Sequence, residues 1–164
     1  MSEPDELVRA AQRGDALAMQ ELLGVLTPYV GRLCGPIALD DGPDATQEAL
    51  IAVFRNLRQL TEPAALYGWV RAIAVREAVR VARRSKRAVP GLPLDLPAPG
   101  DPALAVDVRD VLDRLRPEHR AILVLRDLEG LDERTVGELL KVPAGTVKSR
   151  LSRARLSFRK EWSR

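Results

Sequence analysis

The chain has 164 residues, a net charge of +3 at pH 7 and only 4% aromatic residues. This length fits one ordinary domain or two small ones, and the scarcity of typical strand formers favours helices. One cysteine, Cys34, and one histidine, His119, exclude a disulfide framework and a Cys/His metal site built from this chain alone. We find neither a signal peptide in the acidic residues 1–6 nor an apolar run of about 18 residues, so we expect a soluble, cytoplasmic, all-α protein.

Helical periodicity and helix start signals predict four helices in the first 88 residues. Asp15 and Asp44 are the expected N-caps of the second and third helices, and we expect a loop over 35–43 between them. Ile51 and Phe54 are predicted on the buried side of the third helix. The predicted helices span residues 5–13, 15–34, 45–58 and 64–87.

A Pro/Gly-rich stretch divides the chain. Residues 90–102 contain five prolines and two glycines, which cannot continue a helix and favour an extended connection. We therefore predict two small helical domains, over 1–88 and 104–164, joined by a linker over 89–103.

The last 60 residues predict a helix-turn-helix. Pro117 suits the first turn of a helix, Gly130 ends that helix, and Asp132 can cap the next. The final helix carries an apolar stripe of Val147, Leu151, Ala154 and Phe158, and its other side is basic. The predicted helices span residues 104–115, 117–128, 133–140 and 144–161.

The net charge conceals two basic segments. Residues 141–164 carry eight basic side chains and one acid, a charge of +7, and residues 76–87 carry six and one, a charge of +5. Since the whole chain has +3, the remainder has −9. Two basic segments on an acidic body favour two contacts with a polyanion, and a basic helix in a helix-turn-helix suits the major groove of DNA. The alternative is an ordinary helical hairpin with a solvated basic surface.

These residues resemble the bacterial RNA polymerase sigma factors, specifically the small two-domain extracytoplasmic-function (ECF) group of the sigma-70 family. Residues 115–126 look like the family's "LPERQREVLLLR", and residues 145–155 match "GTVKSRLxRAR" of the fourth conserved region, which binds the −35 promoter element. Lys141 replaces the usual Gly of the turn, and Pro143 replaces the usual Ser cap. The resemblance implies −35 contacts by Thr146, Lys148, Ser149, Arg150, Arg153 and Arg155.

The first half is similar to the family's second region. Residues 44–57 resemble the "DxxQExF…F/WxxL" helix that binds the polymerase clamp, and residues 67–74 resemble "FxxWLxxIA", whose continuation binds the −10 element. Arg76 and Arg80 stand where the family usually has Asn and Asp, and Trp69 fits a core position better than a stacking role on melted bases. The resemblance implies polymerase contacts by Asp44, Gln47, Glu48, Ile51 and Arg55, and −10 contacts by Thr61, Glu62, Arg76, Arg80, Arg83 and Arg84.

The sequence therefore predicts a sigma factor that binds core RNA polymerase and promoter DNA, with no cofactor, metal or catalytic residue. Many members of this group are held inactive by an anti-sigma factor, so such a partner is an expectation from the resemblance. The alternative is a stand-alone helix-turn-helix regulator that does not act through core polymerase.

Overall fold

The computed structural model describes residues 3–85 and 102–163, which form eight α-helices with short 3₁₀ and π turns. Within these ranges there is no strand, so the predicted all-α fold class is confirmed. The N-terminal bundle, residues 3–85, holds α1 (Glu3–Gln12), α2 (Ala16–Ala38), α3 (Gly42–Asn56) and α4 (Leu66–Ser85). The C-terminal bundle, residues 102–163, holds α5 (Pro102–Asp113), α6 (Pro117–Leu123), α7 (Glu133–Leu140) and α8 (Ala144–Trp162).

Two predicted helix starts are confirmed by their hydrogen bonds. The Asp15 carboxylate accepts from the Ala18 amide at 3.1 Å, and the Asp132 carboxylate accepts from the Thr135 amide at 2.7 Å. Each aspartate pairs a backbone N–H that the first helical turn leaves without a partner. Pro117 also lies in the first turn of α6, as predicted.

The predicted loop over 35–43 and the predicted cap at Asp44 are wrong. α2 continues through Pro36 to Ala38 because Ile37 and Ala38 are buried, 0% and 3% exposed, and this burial offsets the proline's cost to the helix. α3 then begins earlier than predicted, at Gly42, so Asp44 lies inside its first turn. An aspartate there still stabilises the helix, because its charge faces the positive end of the helix dipole.

Other helix boundaries shift by a few residues. A 3₁₀ turn over Pro63–Ala65 precedes α4, and a π turn over Val124–Leu128 follows α6 in place of the last predicted α turn. Gly130 has a φ of 69°, a conformation that glycine adopts without strain, and the chain leaves the helix there as predicted. Of the predicted linker over 89–103, only residues 102 and 103 lie within the described residues, and they begin α5.

The core of the N-terminal bundle forms where α2, α3 and α4 pack together. Leu22, Leu26 and Val30 of α2 are at most 2% exposed, and Ala49 and Val53 of α3 are 0% exposed. Residues Ala16–Gln59 contain an 18-residue window of mean hydropathy 1.4, enough by length and composition for a membrane span. Because these apolar side chains form the centre of the helical bundle, the same hydropathy describes a core helix.

Candidate nucleic-acid interface

The turn between α7 and α8 depends on two unusual positions. Gly137 faces the turn so closely that an added Cβ would lie 2.6 Å from the Val142 carbonyl oxygen. Lys141 ends α7 in the left-handed conformation, with φ 59° and ψ 45°, where glycine is usual. Its amide donates to the Gly137 carbonyl, so the α7 backbone is closed before α8 begins. The turn therefore fixes the direction of α8 through backbone geometry.

One side of α8 packs into the C-terminal bundle, and the other side is exposed to solvent. Val147, Leu151 and Ala154 are buried, while Phe158, the fourth member of the predicted stripe, is half-buried and stacks on Trp162 at 6.0 Å between ring centroids. Pro143 stands before α8 without a side-chain cap, and its carbonyl accepts from the Thr146 and Val147 amides. We name the predicted −35 residues the α8 face: Thr146, Lys148, Ser149, Arg150, Arg153 and Arg155.

The members of the α8 face differ in how available they are. Lys148, Ser149 and Arg153 are exposed, and among the described residues neither Lys148 nor Arg153 forms an ion pair. Thr146 and Arg150 are half-buried. Arg155 is held by Asp127 at 2.5 Å, so it must exchange this carboxylate to reach a phosphate. Exposed unpaired cations on a groove-sized helix suit duplex DNA.

The predicted −10 arginines of α4 lie along one side of the helix, and all are exposed. We name Arg76, Arg80, Arg83 and Arg84 the α4 arginines. Each has a partner: the Arg76 Nε donates to the Leu139 carbonyl at 3.3 Å, and Arg83 pairs with Glu118. Arg80 and Arg84 share the carboxylate of Glu48, which Arg84 approaches to 2.9 Å.

Two further acids complete the pairing of Arg80 and Arg84. Arg80 contacts Glu77 at 2.5 Å, and Arg84 contacts Asp44 at 3.4 Å. The hydrogen bond from Arg84 holds the pKa of Glu48 below its usual range, and the hydrogen bond to Glu77 raises the pKa of Arg80. The α4 arginines are therefore exposed, but acids compensate the charge of Arg80, Arg83 and Arg84.

The remaining predicted −10 residues lie in the connection before α4. Thr61 and Glu62 are both exposed, next to the 3₁₀ turn that starts at Pro63. Trp69 is partly buried against the core, in line with its predicted packing position.

The predicted polymerase residues share one side of α3, which we name the α3 face: Asp44, Gln47, Glu48, Ile51 and Arg55. Glu48 is half-buried under the α4 arginines and the others are exposed. Ile51 and Phe54 are 46% and 56% exposed, so their predicted burial is wrong. The helix instead buries Ala45, Ala49 and Val53. An exposed isoleucine and phenylalanine on a helix favour a protein partner.

The two bundles meet across a cleft. It has a volume of about 400 Å³ and is lined chiefly by the first three α4 arginines, by Glu118 and Leu140, and by Arg150 of the α8 face. We name it the arginine cleft. It brings predicted −10 and −35 residues to one place in the fold.

Sequence reasoning missed three residues that shape these surfaces. Phe54 is predicted in the core because it is apolar and lies next to Val53 on the helix. Apolar character alone does not distinguish a side chain that is buried in the core from one that binds a partner. Glu48 is predicted only as a polymerase contact. Because it lies one helical turn after Asp44, both acids also lie beside the arginines of α4. Arg120 is only 4% exposed and donates to three carbonyls, which no local pattern in the sequence indicates.

We compared the chain with known protein families, solved structures and sequence relatives. The family model for sigma-70, region 4, matches residues 105–157, which span the helix-turn-helix. The solved structure of CnrH in complex with the cytosolic domain of CnrY has a TM-score of 0.65 at 18% identity, covering 97% of this chain and 96% of that one. The sigma factor RpoE of Bartonella quintana, in complex with the anti-sigma factor NepR, has a TM-score of 0.69 at 18% identity, covering 88% and 96%. Both show a shared fold.

Sequence relatives extend the match into the N-terminal bundle. The ECF RNA polymerase sigma factor SigE of Mycolicibacterium smegmatis is 37% identical over 73% of this chain, and the match spans about half (51%) of that relative. The ECF RNA polymerase sigma-E factor of Haemophilus influenzae is 28% identical, covering 91% of this chain and 89% of the relative. SigM of Mycobacterium tuberculosis, also an ECF RNA polymerase sigma factor, is 32% identical, covering 92% and 80%. The chain therefore belongs to the ECF RNA polymerase sigma factors.

Proposed function

We propose that the protein is a sigma factor that binds core RNA polymerase and directs it to specific promoters. The C-terminal bundle binds the −35 element through the α8 face. The N-terminal bundle binds polymerase through the α3 face and the −10 element through the α4 arginines and the Thr61–Glu62 connection. The domain limits that we assign are 1–88 and 104–164, with the linker over 89–103.

The observation that carries this proposal is the pairing of two different surfaces within one family match. α8 presents exposed, unpaired cations on a helix that a tight turn directs outwards, as major-groove binding requires. α3 presents the apolar pair Ile51 and Phe54 beside polar residues, as a protein interface requires. A stand-alone regulator would also need the first surface, and its second surface would bind a partner other than polymerase or a second copy of the chain.

The protein supplies recognition, and the polymerase carries out the chemistry. We place the protein in the cytoplasm, where polymerase and promoter DNA are found, and we propose an anti-sigma factor as a further partner. In support, the Bartonella quintana relative by fold was solved with an anti-sigma factor.

Initiation from a promoter library tests the proposal directly. The protein is mixed with core polymerase, and transcripts are sequenced to identify the promoters that it selects. We expect co-purification of the core subunits and initiation downstream of a shared pair of DNA elements. DNA binding without core association would instead establish the stand-alone regulator.

The α3 face can be tested separately from DNA binding. Ile51→Glu with Phe54→Glu places two charges where the proposal requires apolar contact, so core association should be lost while binding to −35 DNA is kept. The matched control is Leu17→Glu with Val25→Glu, which changes two apolar residues of α2 that are 78% and 52% exposed. Equal core association by both variants would contradict the assignment of the α3 face.

A further inference from the structure

Gln12, the last residue of α1, is bonded to a segment far along the chain. Its Nε2 donates to the Leu57 carbonyl at 2.9 Å and to the Leu60 carbonyl at 2.7 Å, across 45 and 48 positions. A carboxamide nitrogen carries two hydrogens, so these two acceptors use both of them. The Gln12 side chain is half-buried. It therefore ties two carbonyls of the connection before α4 to one point on α1.

The backbone that carries Gln12 is itself well anchored. Val8 of α1 is 1% exposed and packs into the core. The chain leaves α1 in a tight turn, in which Gly14 has a φ of 97° and the Asp15 amide donates back to the Ala10 carbonyl at 3.1 Å. Asp15 then caps α2 through its carboxylate. The position of Gln12 is therefore set by the junction of two packed helices.

The segment that Gln12 holds leads directly into the Thr61–Glu62 connection. A 3₁₀ turn over Leu57–Gln59 is closed by a hydrogen bond from the Leu60 amide to the Leu57 carbonyl at 3.1 Å. The Leu60 carbonyl belongs to the peptide group shared with Thr61, and the Leu60 backbone is extended, with φ −72° and ψ 111°. Because a peptide group is planar, the bond from Gln12 to this carbonyl also sets the direction in which the chain enters Thr61.

The other end of the Thr61–Glu62 connection is anchored as well. The Glu62 carbonyl accepts from the Ala65 amide at 2.9 Å, in the 3₁₀ turn over Pro63–Ala65, and Pro63 itself is buried. Two exposed residues are thus held between two anchored turns, and Gln12 provides the support on one side. A short segment that is held at both ends keeps its side chains in one arrangement, as selective binding of a base requires.

We propose that Gln12 is a positioning residue for −10 recognition. From outside the DNA surface, it holds the Leu60–Thr61 peptide group so that the Thr61 and Glu62 side chains meet the −10 bases in one arrangement. The proposal rests on the proposed function, which assigns these two residues to the −10 element. Gln12 belongs to none of the α3 face, the α4 arginines and the α8 face. A change at Gln12 therefore leaves the proposed polymerase and −35 contacts in place.

The quantity that Gln12 should affect is −10 discrimination. We define it as the ratio of initiation at the selected promoter to initiation at a copy with one −10 base changed. One base pair of a DNA site changes affinity by about 5- to 150-fold, and one hydrogen bond within a protein changes an equilibrium by a factor of about 2 to 12. At the smaller factor for each bond, loss of both bonds should lower −10 discrimination by about fivefold.

The substitution Gln12→Met removes both donors at constant charge and similar side-chain length. Holoenzyme formed from core polymerase and the full-length variant is assayed on the selected promoter and on copies with one −10 or one −35 base changed. We expect −10 discrimination to fall by about fivefold, with −35 discrimination and core affinity unchanged. The matched control is Gln20→Met, at an exposed glutamine of α2, which should keep both ratios. Unchanged −10 discrimination in Gln12→Met, or an equal fall at both elements, would overturn the proposal.

The substitution Gln12→Lys restores a donor of similar reach. Its ammonium group can donate to the two carbonyls, so most of the wild-type −10 discrimination should return. The added charge strengthens binding to every −10 sequence alike and cancels in the ratio. Discrimination as poor in Gln12→Lys as in Gln12→Met would overturn the assignment to hydrogen-bond donation.

A double-mutant cycle tests whether Gln12 acts through the residues that follow Leu60. Once Thr61→Ala with Glu62→Ala has removed the positioned side chains, Gln12→Met should lower −10 discrimination no further. The same fold-loss with and without these side chains would overturn the proposal.

Hydrogen exchange gives a direct structural readout in the same variants. Amides in residues 57–66 should exchange faster in Gln12→Met than in the wild type, and circular dichroism verifies that each variant is folded. Unchanged exchange in this segment would also count against the proposal. Failure of the wild-type holoenzyme to distinguish −10 bases would instead contradict the proposed function.

Discussion

The two bundles differ in how the cations that we propose for DNA binding are paired with acids. In the N-terminal bundle, Arg80 and Arg84 are exposed but held by Glu48, Glu77 and Asp44. In the C-terminal bundle, Lys148 and Arg153 pair with no acid among the described residues, and a backbone turn sets their direction. Unpaired cations attract DNA at any time, whereas paired ones must first exchange their carboxylates. We therefore expect the proposed −35 residues to be more available to DNA in the free chain than the proposed −10 residues.

Removing the unpaired cations should have the largest effect. Lys148→Ala with Arg150→Ala and Arg153→Ala should weaken binding to a −35 duplex by about 100-fold or more, because base and phosphate contacts are lost together. The slope of log affinity against log salt should fall by about 2.7 if all three contact phosphates. Fluorescence anisotropy over a salt series measures both quantities.

The control for this triple change removes three cations elsewhere. Arg9 of α1, Arg13 of the turn after α1 and Arg32 of α2 are exposed, and their alanine variant has the same net charge. We expect core binding to be kept in both proteins and promoter-specific transcription to be lost only in the first. Unchanged run-off transcription from the selected promoter by the α8 variant would refute the −35 assignment.

Gly137→Ala should disrupt the turn that directs α8. Its Cβ would lie 2.6 Å from the Val142 carbonyl oxygen, and backbone on both sides resists movement. We expect the free energy of unfolding to fall by about 1–3 kcal/mol, measured by urea denaturation. Gly145→Ala is the matched control, since it has nothing within 4 Å of its Cβ and should gain about 0.5–1 kcal/mol. An equal change in the free energy of unfolding in both variants would show that the turn can accommodate a Cβ at residue 137.

Lys141→Gly should act in the opposite direction at the same turn. Lys141 adopts φ 59°, which costs a residue with a Cβ about 1 kcal/mol relative to glycine. The variant should gain about this free energy of unfolding, whereas Lys141→Ala, which loses the charge and keeps the Cβ, should gain nothing. A similar gain in both variants would assign the effect to charge.

Glu48→Gln should make the N-terminal bundle behave more like the C-terminal one. Without the carboxylate that they share, Arg80 keeps only Glu77 and Arg84 keeps only Asp44. Both arginines then exchange more readily for phosphates, and the salt slope of −10 DNA binding should steepen by up to about 1.8. Glu21→Gln, an exposed acid on α2, changes the net charge equally and should leave the slope unchanged. A slope that stays constant in Glu48→Gln would show that the arginines were already available.

The smallest expected effect is a shift in the pKa of His119, which is sensitive to the nearby cations of the C-terminal bundle. Burial lowers the pKa of His119, with contributions from the cations Arg116, Arg150 and Arg153, so the folded state favours the neutral ring. The unfolded chain then binds more protons as the pH falls below about 6.5, and stability should decline there. NMR titration should show a higher pKa in Arg150→Ala with Arg153→Ala, and no change in Arg9→Ala. A flat stability profile between pH 7 and 5 in both wild type and His119→Gln would contradict this assignment.

Local features of the fold were predictable because their causes lie close together in sequence. Asp15 and Asp132 each cap a helix through an amide three residues ahead, and the apolar stripe of α8 repeats at helical spacing. The helical continuation through Pro36 was missed because it depends on the burial of Ile37 and Ala38 in a tertiary core.

The residue types of the candidate site were predictable from the sequence. The ion pairs and hydrogen bonds that these residues form were not. Spacing and resemblance selected the α4 arginines and the α8 face, but Glu48 reaches Arg80 over 32 positions, and Arg120 reaches Ile37 over 83. Contacts at such separation depend on how helices pack, which one sequence does not encode in any local pattern. The exposure of Ile51 and Phe54 was not predictable either, because it also depends on which side of α3 packs against the other helices.

The double engagement of Glu48 has a consequence for how this protein can evolve. On α8, single substitutions can alter −35 preference one residue at a time, because no residue there also belongs to the proposed polymerase surface. On α3, a substitution at Glu48 that retunes polymerase contact also frees or restrains Arg80 and Arg84. We therefore expect substitutions on α8 to change −35 preference without changing polymerase binding, and substitutions at Glu48 to change −10 binding and polymerase binding together.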